Sequence, residues 1–213
     1  MNKPSVLVID YGMGNLRSVA KALERMGARV TVSSRVSALK RVDGVVLPGV
    51  GAFREAMKRL NRHGFVSPLR AWVAGMRPFL GICLGYQLMF EESSEFGRTR
   101  GLGIFRGKVV RFRRVPVIPH MGWNVIRVRP DSLLLRGLPE KSFVYFVHSY
   151  YPVPADSGVV AALTPYGGEF ASAVEEGVVA GVQFHPEKSQ RVGMKILANF
   201  VGTVAACRVR GGG

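Results

Sequence analysis

Apolar positions in the first hundred residues follow two alternating rhythms. Apolar runs at Ser5–Ile9, Gly44–Leu47 and 78–82 have the length of buried strands, and a further strand is predicted over 29–32. Between the first two, Leu16, Val19, Ala20, Leu23 and Met26 recur at the spacing of one helical face, and Gly27 supplies a stop. A second helix passes through Ala56 and Leu60, and a third is predicted over 84–92. Continuous strands joined by amphipathic helices imply a parallel sheet covered on both sides.

From Gly101 the rhythm changes. Strand-like stretches follow at 107–112, 123–128, 143–147, 158–163, 171–174 and 178–184, separated by turn residues, and a last helix is predicted over 191–205. Antiparallel pairs added to the parallel sheet account for this half. No linker or repeat divides the chain, so one α/β domain over 1–207 is expected, its mixed and mostly parallel sheet flanked by helices. A short basic and glycine tail over 208–213 follows it.

Composition narrows the classes. Hydrophobic residues make up 47% of the 213, enough for a sizeable core. Two cysteines, Cys83 and Cys207, suit a reducing compartment better than a disulfide framework. The apolar run at the N-terminus is stopped by Asp10, and no run of about 20 apolar residues is apparent, so a cytoplasmic protein without a membrane segment is expected. The net charge of +16 is the one unusual bulk property. Its arginine runs lack interleaved aromatics and match no nucleic-acid signature, so nucleic acid is not an expected partner.

The most informative segment is Pro78-Phe-Leu-Gly-Ile-Cys83-Leu-Gly85-Tyr-Gln87. Cys83 falls between a buried strand and a helix, with Gly81 and Gly85 two residues to either side. This is the pattern of a nucleophile elbow with cysteine in place of serine. The turn projects the side chain above the carboxyl edge of the sheet, where the following helix favours a thiolate and its first N–H groups can hold an oxyanion. A buried cysteine packing as a small hydrophobe is the plainer alternative.

A cysteine nucleophile needs a base, and the base needs an orienting group. Of His63, His120, His148 and His185, His185 is the first choice, because it stands at the carboxyl end of an apolar strand in Gln183-Phe-His-Pro-Glu187. That places it on the same sheet edge as Cys83. Pro186 keeps the chain extended, so Glu187, two residues on, is expected to reach one ring nitrogen and leave the other for the thiol. His148 and His120 are second and third candidates for the same cleft.

Together these motifs resemble the class I (triad) glutamine amidotransferases, a likeness that covers nearly the whole chain and implies their flavodoxin-like fold. Asp10-Tyr-Gly-Met-Gly-Asn15, Leu47-Pro-Gly-Val-Gly-Ala52, Pro119-His-Met-Gly-Trp-Asn124 and Phe146-Val-His-Ser-Tyr-Tyr151 are most similar to one branch, the glutaminase subunits of imidazole glycerol phosphate synthase. The triad alone would also fit guanylate, anthranilate, carbamoyl phosphate or pyridoxal phosphate pathways. The resemblance implies Cys83, His185 and Glu187 as the catalytic residues and the N–H groups of Val50 and Leu84 as oxyanion donors. It implies Gly51, Gln87, Glu95, Ser149 and Tyr150 around glutamine, and Asn15, Met121 and Trp123 facing a partner. That partner would be a cyclase of (β/α)8 barrel fold, bound as a heterodimer and receiving ammonia. No metal or cofactor is implied. Gly12-Met-Gly14 does not make a dinucleotide site, because Arg17 replaces the third glycine and no acidic residue ends the second strand. A glutaminase serving another synthase, and a non-catalytic basic binding protein, are the competing readings.

Overall fold

The computed structural model describes residues 3–115 and 117–210. In chain order its strands are β1 (Ser5–Ile9), β2 (Arg29–Ser33), β3 (Gly44–Leu47), β4 (Phe79–Ile82), β5 (Phe90–Ser93), β6 (Thr99–Arg100) and β7 (Phe105–Arg111), then β8 (His120–Val128), β9 (Lys141–His148), β10 (Tyr150–Pro154), β11 (Val160–Pro165), β12 (Glu169–Glu176) and β13 (Val179–Val182). The helices are α1 (Leu16–Arg25), α2 (Phe53–Arg62), α3 (Val66–Ala74), α4 (Leu84–Leu88) and α5 (Gln190–Arg210).

Nine strands form the main sheet in the order β2-β1-β3-β4-β13-β12-β11-β8-β9. Pairing is parallel from β2 to β13 and antiparallel from there to β9. The sheet is therefore mixed, as expected, with its antiparallel half as extensive as its parallel half. Alternation along β1 shows how both faces are buried: Val6 and Val8 join α1 and α5 in one core, while Leu7 and Ile9 join α2 and α3 in the other.

The register that matters most for chemistry is β4 against β13, with Gly81 opposite Gly181 and Ile82 opposite Val182. Two parallel strands ending side by side deliver their next residues, Cys83 and Gln183, to the same edge. Open α/β folds place their sites at that carboxyl edge.

Four expectations are corrected. The helix predicted over 84–92 stops at Leu88, and Phe90 begins β5. Leu88, Met89 and Phe90 are all buried, so the apolar pattern runs through the change of element without marking it. Second, β5 and β6 join β7 and β10 in a separate four-stranded sheet, order β10-β7-β5-β6, that was not foreseen. Third, α5 runs past Ala205 to Arg210, so residues 208–210 continue the helix; Gly211 to Gly213 lie outside the described residues. This helix is long and apolar enough to cross a membrane by length and composition, contrary to the reading that no such segment is present. Here Ile196, Leu197, Phe200 and Val204 bury one side of it in the core.

Candidate active site

Cys83 occupies a left-handed turn, φ 55° and ψ −109°, between β4 and α4. A non-glycine residue there costs on the order of 1–3 kcal/mol and must be held by its surroundings. Two backbone bonds do so: Cys83 N–H donates to the Val182 carbonyl (2.8 Å), and its own carbonyl accepts from Gln87 N–H (3.1 Å). The flanking glycines are a packing requirement. A Cβ on Gly81 would lie 2.9 Å from the Gly85 carbonyl oxygen, and a Cβ on Gly85 would run into the Leu47 carbonyl.

His185 follows β13 with an extended backbone, and its N–H donates to the Tyr145 carbonyl (3.0 Å). Its Nδ1 is 2.8 Å from Glu187 Oε1, and both side chains are buried. The expected pairing is present, but the route differs. Residues Pro186–Lys188 form one 3₁₀ turn, with Pro186 at its start, rather than an extended chain. Ser189 braces the turn from behind: its hydroxyl donates to the His185 carbonyl (2.7 Å) and accepts from Tyr145 N–H (3.0 Å).

Cys83 and His185 line one cavity of about 540 Å³ together with Val50, Gly51, Leu84, Gln87, Glu95, Ser149 and Tyr150. Burial disfavours an imidazolium at His185, but hydrogen bonding and charge attraction from Cys83 and Glu187 outweigh it and raise the ring to about 10. Cys83 and Glu187 thus favour the charged ring, while Nε2 makes no hydrogen bond among the described residues. A larger groove of about 680 Å³ lies elsewhere, between Arg70, Glu91, Arg98 and Lys108, and among the described residues no thiol or imidazole lines it.

The expected oxyanion donors are not both available. Leu84 N–H donates to the Gly49 carbonyl at 3.3 Å, so that carbonyl sits where an oxyanion would bind. With only five residues, α4 has little macrodipole to add, and its first N–H is the group that counts. Gly49 approaches so closely that a Cβ would collide with the Tyr11 hydroxyl. That hydroxyl donates to the Pro48 carbonyl (2.9 Å), and burial first, then the proximity of Cys83, pushes the phenol up.

Other predicted residues are placed as follows. Gln87 is buried, and its amide nitrogen already donates to the Tyr150 carbonyl (2.9 Å) and to Gln183 Oε1 (3.1 Å). Glu95 lines the cavity with one oxygen accepting Phe53 N–H at the start of α2 (2.6 Å). Asn15 is exposed before α1, and its neighbour Gly14 packs near Pro48 and Gly49. Met121 and Trp123 are 63% and 48% exposed, which sets aside the alternative that they are core residues. His148 lines the cavity, whereas His120 is buried behind it with Nδ1 3.0 Å from His148 Nε2.

Two site residues escaped the sequence reading. Gln183 is fully buried and points its amide at the Cys83 sulfur (3.8 Å). Its position two residues before His185 on an extended chain was the available signal. Arg111 also lines the cavity, and only its place opposite Tyr150 across β7 and β10 brings it there.

A turn that places a cysteine between strand and helix, an oriented imidazole and a shared cavity at the carboxyl edge of an α/β sheet form the arrangement expected of a cysteine-nucleophile enzyme. The family model "Glutamine amidotransferase class-I" matches residues 7–204, and the chain belongs to that family. Among individual relatives, it is 50% identical over 202 residues to "Imidazole glycerol phosphate synthase subunit HisH" of Syntrophotalea carbinolica, covering 92% of this chain and 98% of that one. It is 52% identical over 195 residues to the protein of the same name from Aquifex aeolicus, covering 91% and 94%. Among solved structures, PurLQS from Thermotoga maritima superposes with a TM-score of 0.75 at 19% identity, over 96% of this chain and 98% of that chain, a likeness of fold.

Proposed function

We propose that this chain is the glutaminase subunit of imidazole glycerol phosphate synthase, hydrolysing L-glutamine to glutamate and ammonia for a cyclase subunit in histidine biosynthesis. The observation that carries the chemistry is the cavity shared by Cys83 and His185, with Glu187 on the far ring nitrogen. The pathway rests on relatives of about 50% identity named for that synthase.

Cys83 thiolate attacks the carboxamide carbon, forming a C–S bond and an oxyanion. Protonated His185 gives its Nε2 proton to the departing nitrogen, the C–N bond breaks, and ammonia leaves a γ-glutamyl thioester. His185, now neutral, takes a proton from water as it attacks the thioester. The C–S bond breaks, glutamate forms, and the thiolate–imidazolium pair is restored. Glu187 holds the ring so that Nε2 faces the sulfur throughout. The oxyanion needs two N–H donors, Leu84 and Val50. They become available when the Gly49–Val50 peptide turns over, withdrawing the carbonyl from Leu84 and presenting the Val50 N–H. Gly49 and Gly51, on either side of Val50, give the loop the freedom to do so. Gly51, Gln87, Glu95, Ser149 and Tyr150 surround the substrate, with the free Glu95 oxygen for its ammonium group.

The partner is taken to be a (β/α)8 barrel cyclase, bound as a heterodimer in the cytoplasm through the face bearing Asn15, Met121 and Trp123. Residues 1–207 are taken as the catalytic domain.

The test uses the reconstituted complex. Cys83→Ala abolishes glutamine-dependent synthesis while ammonium salts still support it. Equal loss with both nitrogen sources contradicts this division of labour, and retained glutaminase activity removes Cys83 from its role.

A further inference from the structure

The reaction above leaves two buried imidazoles unused, yet they join its cavity to the face assigned to the partner. Each hydrogen bond in the chain fixes the next. The Tyr150 carbonyl can only accept, so His148 Nδ1 carries a proton and donates to it (2.8 Å). His148 Nε2 is then an acceptor and takes the Nδ1 proton of His120 (3.0 Å). His120 Nε2 in turn accepts from the Asn124 amide nitrogen (3.1 Å), which also donates to the Pro165 carbonyl (3.0 Å). One tautomer of each ring satisfies every contact. Burial keeps both rings neutral, lowering His120 to about 4 and His148 to about 3.

At the other end the Tyr150 carbonyl accepts a second donor, Gln87 Nε2 (2.9 Å), which also reaches Gln183 (3.1 Å) and, through it, the Cys83 sulfur. The same wall is held by Phe112 N–H on the Ser149 carbonyl (3.0 Å). His120 and Asn124 project from one face of β8, and Met121 and Trp123 from the other. A partner seated on Trp123 would bear on the strand that carries His120.

We propose that His120 and His148 are positioning residues that set the Ser149–Tyr150 wall of the glutamine cavity according to the position of β8. This rests on the proposed function of the site.

The experiment measures KM for glutamine and kcat in the free chain and in the complex with the cyclase subunit. His148→Phe keeps an aromatic ring against Phe112 and Phe170 but removes the donor. It is expected to raise KM about tenfold, the effect of one hydrogen bond, with kcat changed less than threefold. His148→Asn, which keeps a donor near Nδ1, restores KM. His120→Phe abolishes the difference in KM between free chain and complex. An unchanged KM in folded His148→Phe overturns the proposal, as does a wild-type KM that the cyclase does not alter. A purely packing role lowers the unfolding temperature and leaves KM intact. Should His148→Phe not fold, His120→Gln, too displaced to reach His148, is read by the same KM criterion. Cys83→Ala separates the two levels: if it retains glutaminase activity the site reading fails, and if it behaves as expected while KM stays fixed in the histidine variants, only the relay fails.

Discussion

The backbone N–H of Leu84 donates to the carbonyl oxygen of Gly49 at 3.3 Å, so the donor beside the nucleophile is occupied by the protein's own chain. A carbonyl at that point repels a developing oxyanion instead of stabilising it. The chain holds Cys83 and His185 in one cavity while the Leu84 N–H stays engaged, which suits the proposed role of a glutaminase subunit that acts with a partner.

Turning the Gly49–Val50 peptide requires rotation about the Val50 N–Cα bond and ends with the Val50 N–H facing the site. Val50→Pro removes that hydrogen and fixes φ. Val50 is exposed at the cavity rim, so packing changes little. Glutaminase kcat in the complex is expected to fall about 10²–10³-fold, the usual effect of one oxyanion donor. Ammonium-dependent synthesis should be unaffected. Steady-state rates with each nitrogen source check this, and an unimpaired glutaminase rate would dismiss the peptide switch.

Glu187→Gln tests the charge behind His185. The folded value of about 10 lies above the ordinary 6.5, so this group's protonation contributes stability that is complete below about 6.5 and lost as pH rises through about 10. Replacing the carboxylate with an amide removes one of the attractions that raise the ring, so less stability is lost over that alkaline range. Denaturant unfolding of both proteins at several pH values between 6.5 and 10 measures the difference. Parallel curves would show that Glu187 is not a source of the shift. Because the ring also loses its orienting anion, kcat is expected to drop by about 10² or more.

Why some of this was legible in sequence, and some not, follows from the range of the interactions. Gly81 and Gly85 encode the elbow locally, since each is demanded by contacts the turn makes with its own neighbours or the adjoining strand. His185 and Glu187 are joined through one turn, so their pairing could be read two residues apart even though the turn type could not. The parallel β4–β13 pairing that brings Cys83 and His185 together is a long-range fact that was not foreseen; only their shared sheet edge was, because each follows an apolar strand. The second sheet was illegible for a different reason: α4 passes into β5 through three consecutive buried residues, a pattern common to both elements. The commitment of Gln87 to Tyr150 and Gln183, residues 63 and 96 positions away, leaves no local mark at all.

Two glycine substitutions separate packing from conformational preference. In Gly85→Ala the new methyl meets the Leu47 carbonyl, backbone that cannot swing aside, and the cost is expected to be about 1–3 kcal/mol. Gly202 lies on an exposed part of α5 with nothing within 4 Å of a Cβ, so Gly202→Ala should stabilise by about 0.4–1 kcal/mol. Denaturant midpoints at constant m-value check both, and a stabilised Gly85→Ala would contradict the close approach of α4 to β3.

The last prediction concerns docking. The first residue of β8, His120, pairs with the last of β9, His148, which lines the cavity, so Met121 and Trp123 lie on a strand that begins beside it. Across the ladder Trp123 faces Tyr145, with ring centroids 6.1 Å apart, and Phe143 is also exposed, making an apolar stripe two strands wide. A half-exposed tryptophan within such a stripe is the residue type that dominates interface energetics. Trp123→Ala is expected to weaken association with the cyclase subunit about 30-fold, corresponding to about 2 kcal/mol. Val209 is more exposed still, but Arg208 reaches the Lys3 carbonyl, so that end of α5 lies beside the start of β1, at the opposite edge of the sheet. Val209→Ala should leave the affinity unchanged. Calorimetric titration with the cyclase decides the matter: equal affinities for the two variants would move the interface away from β8.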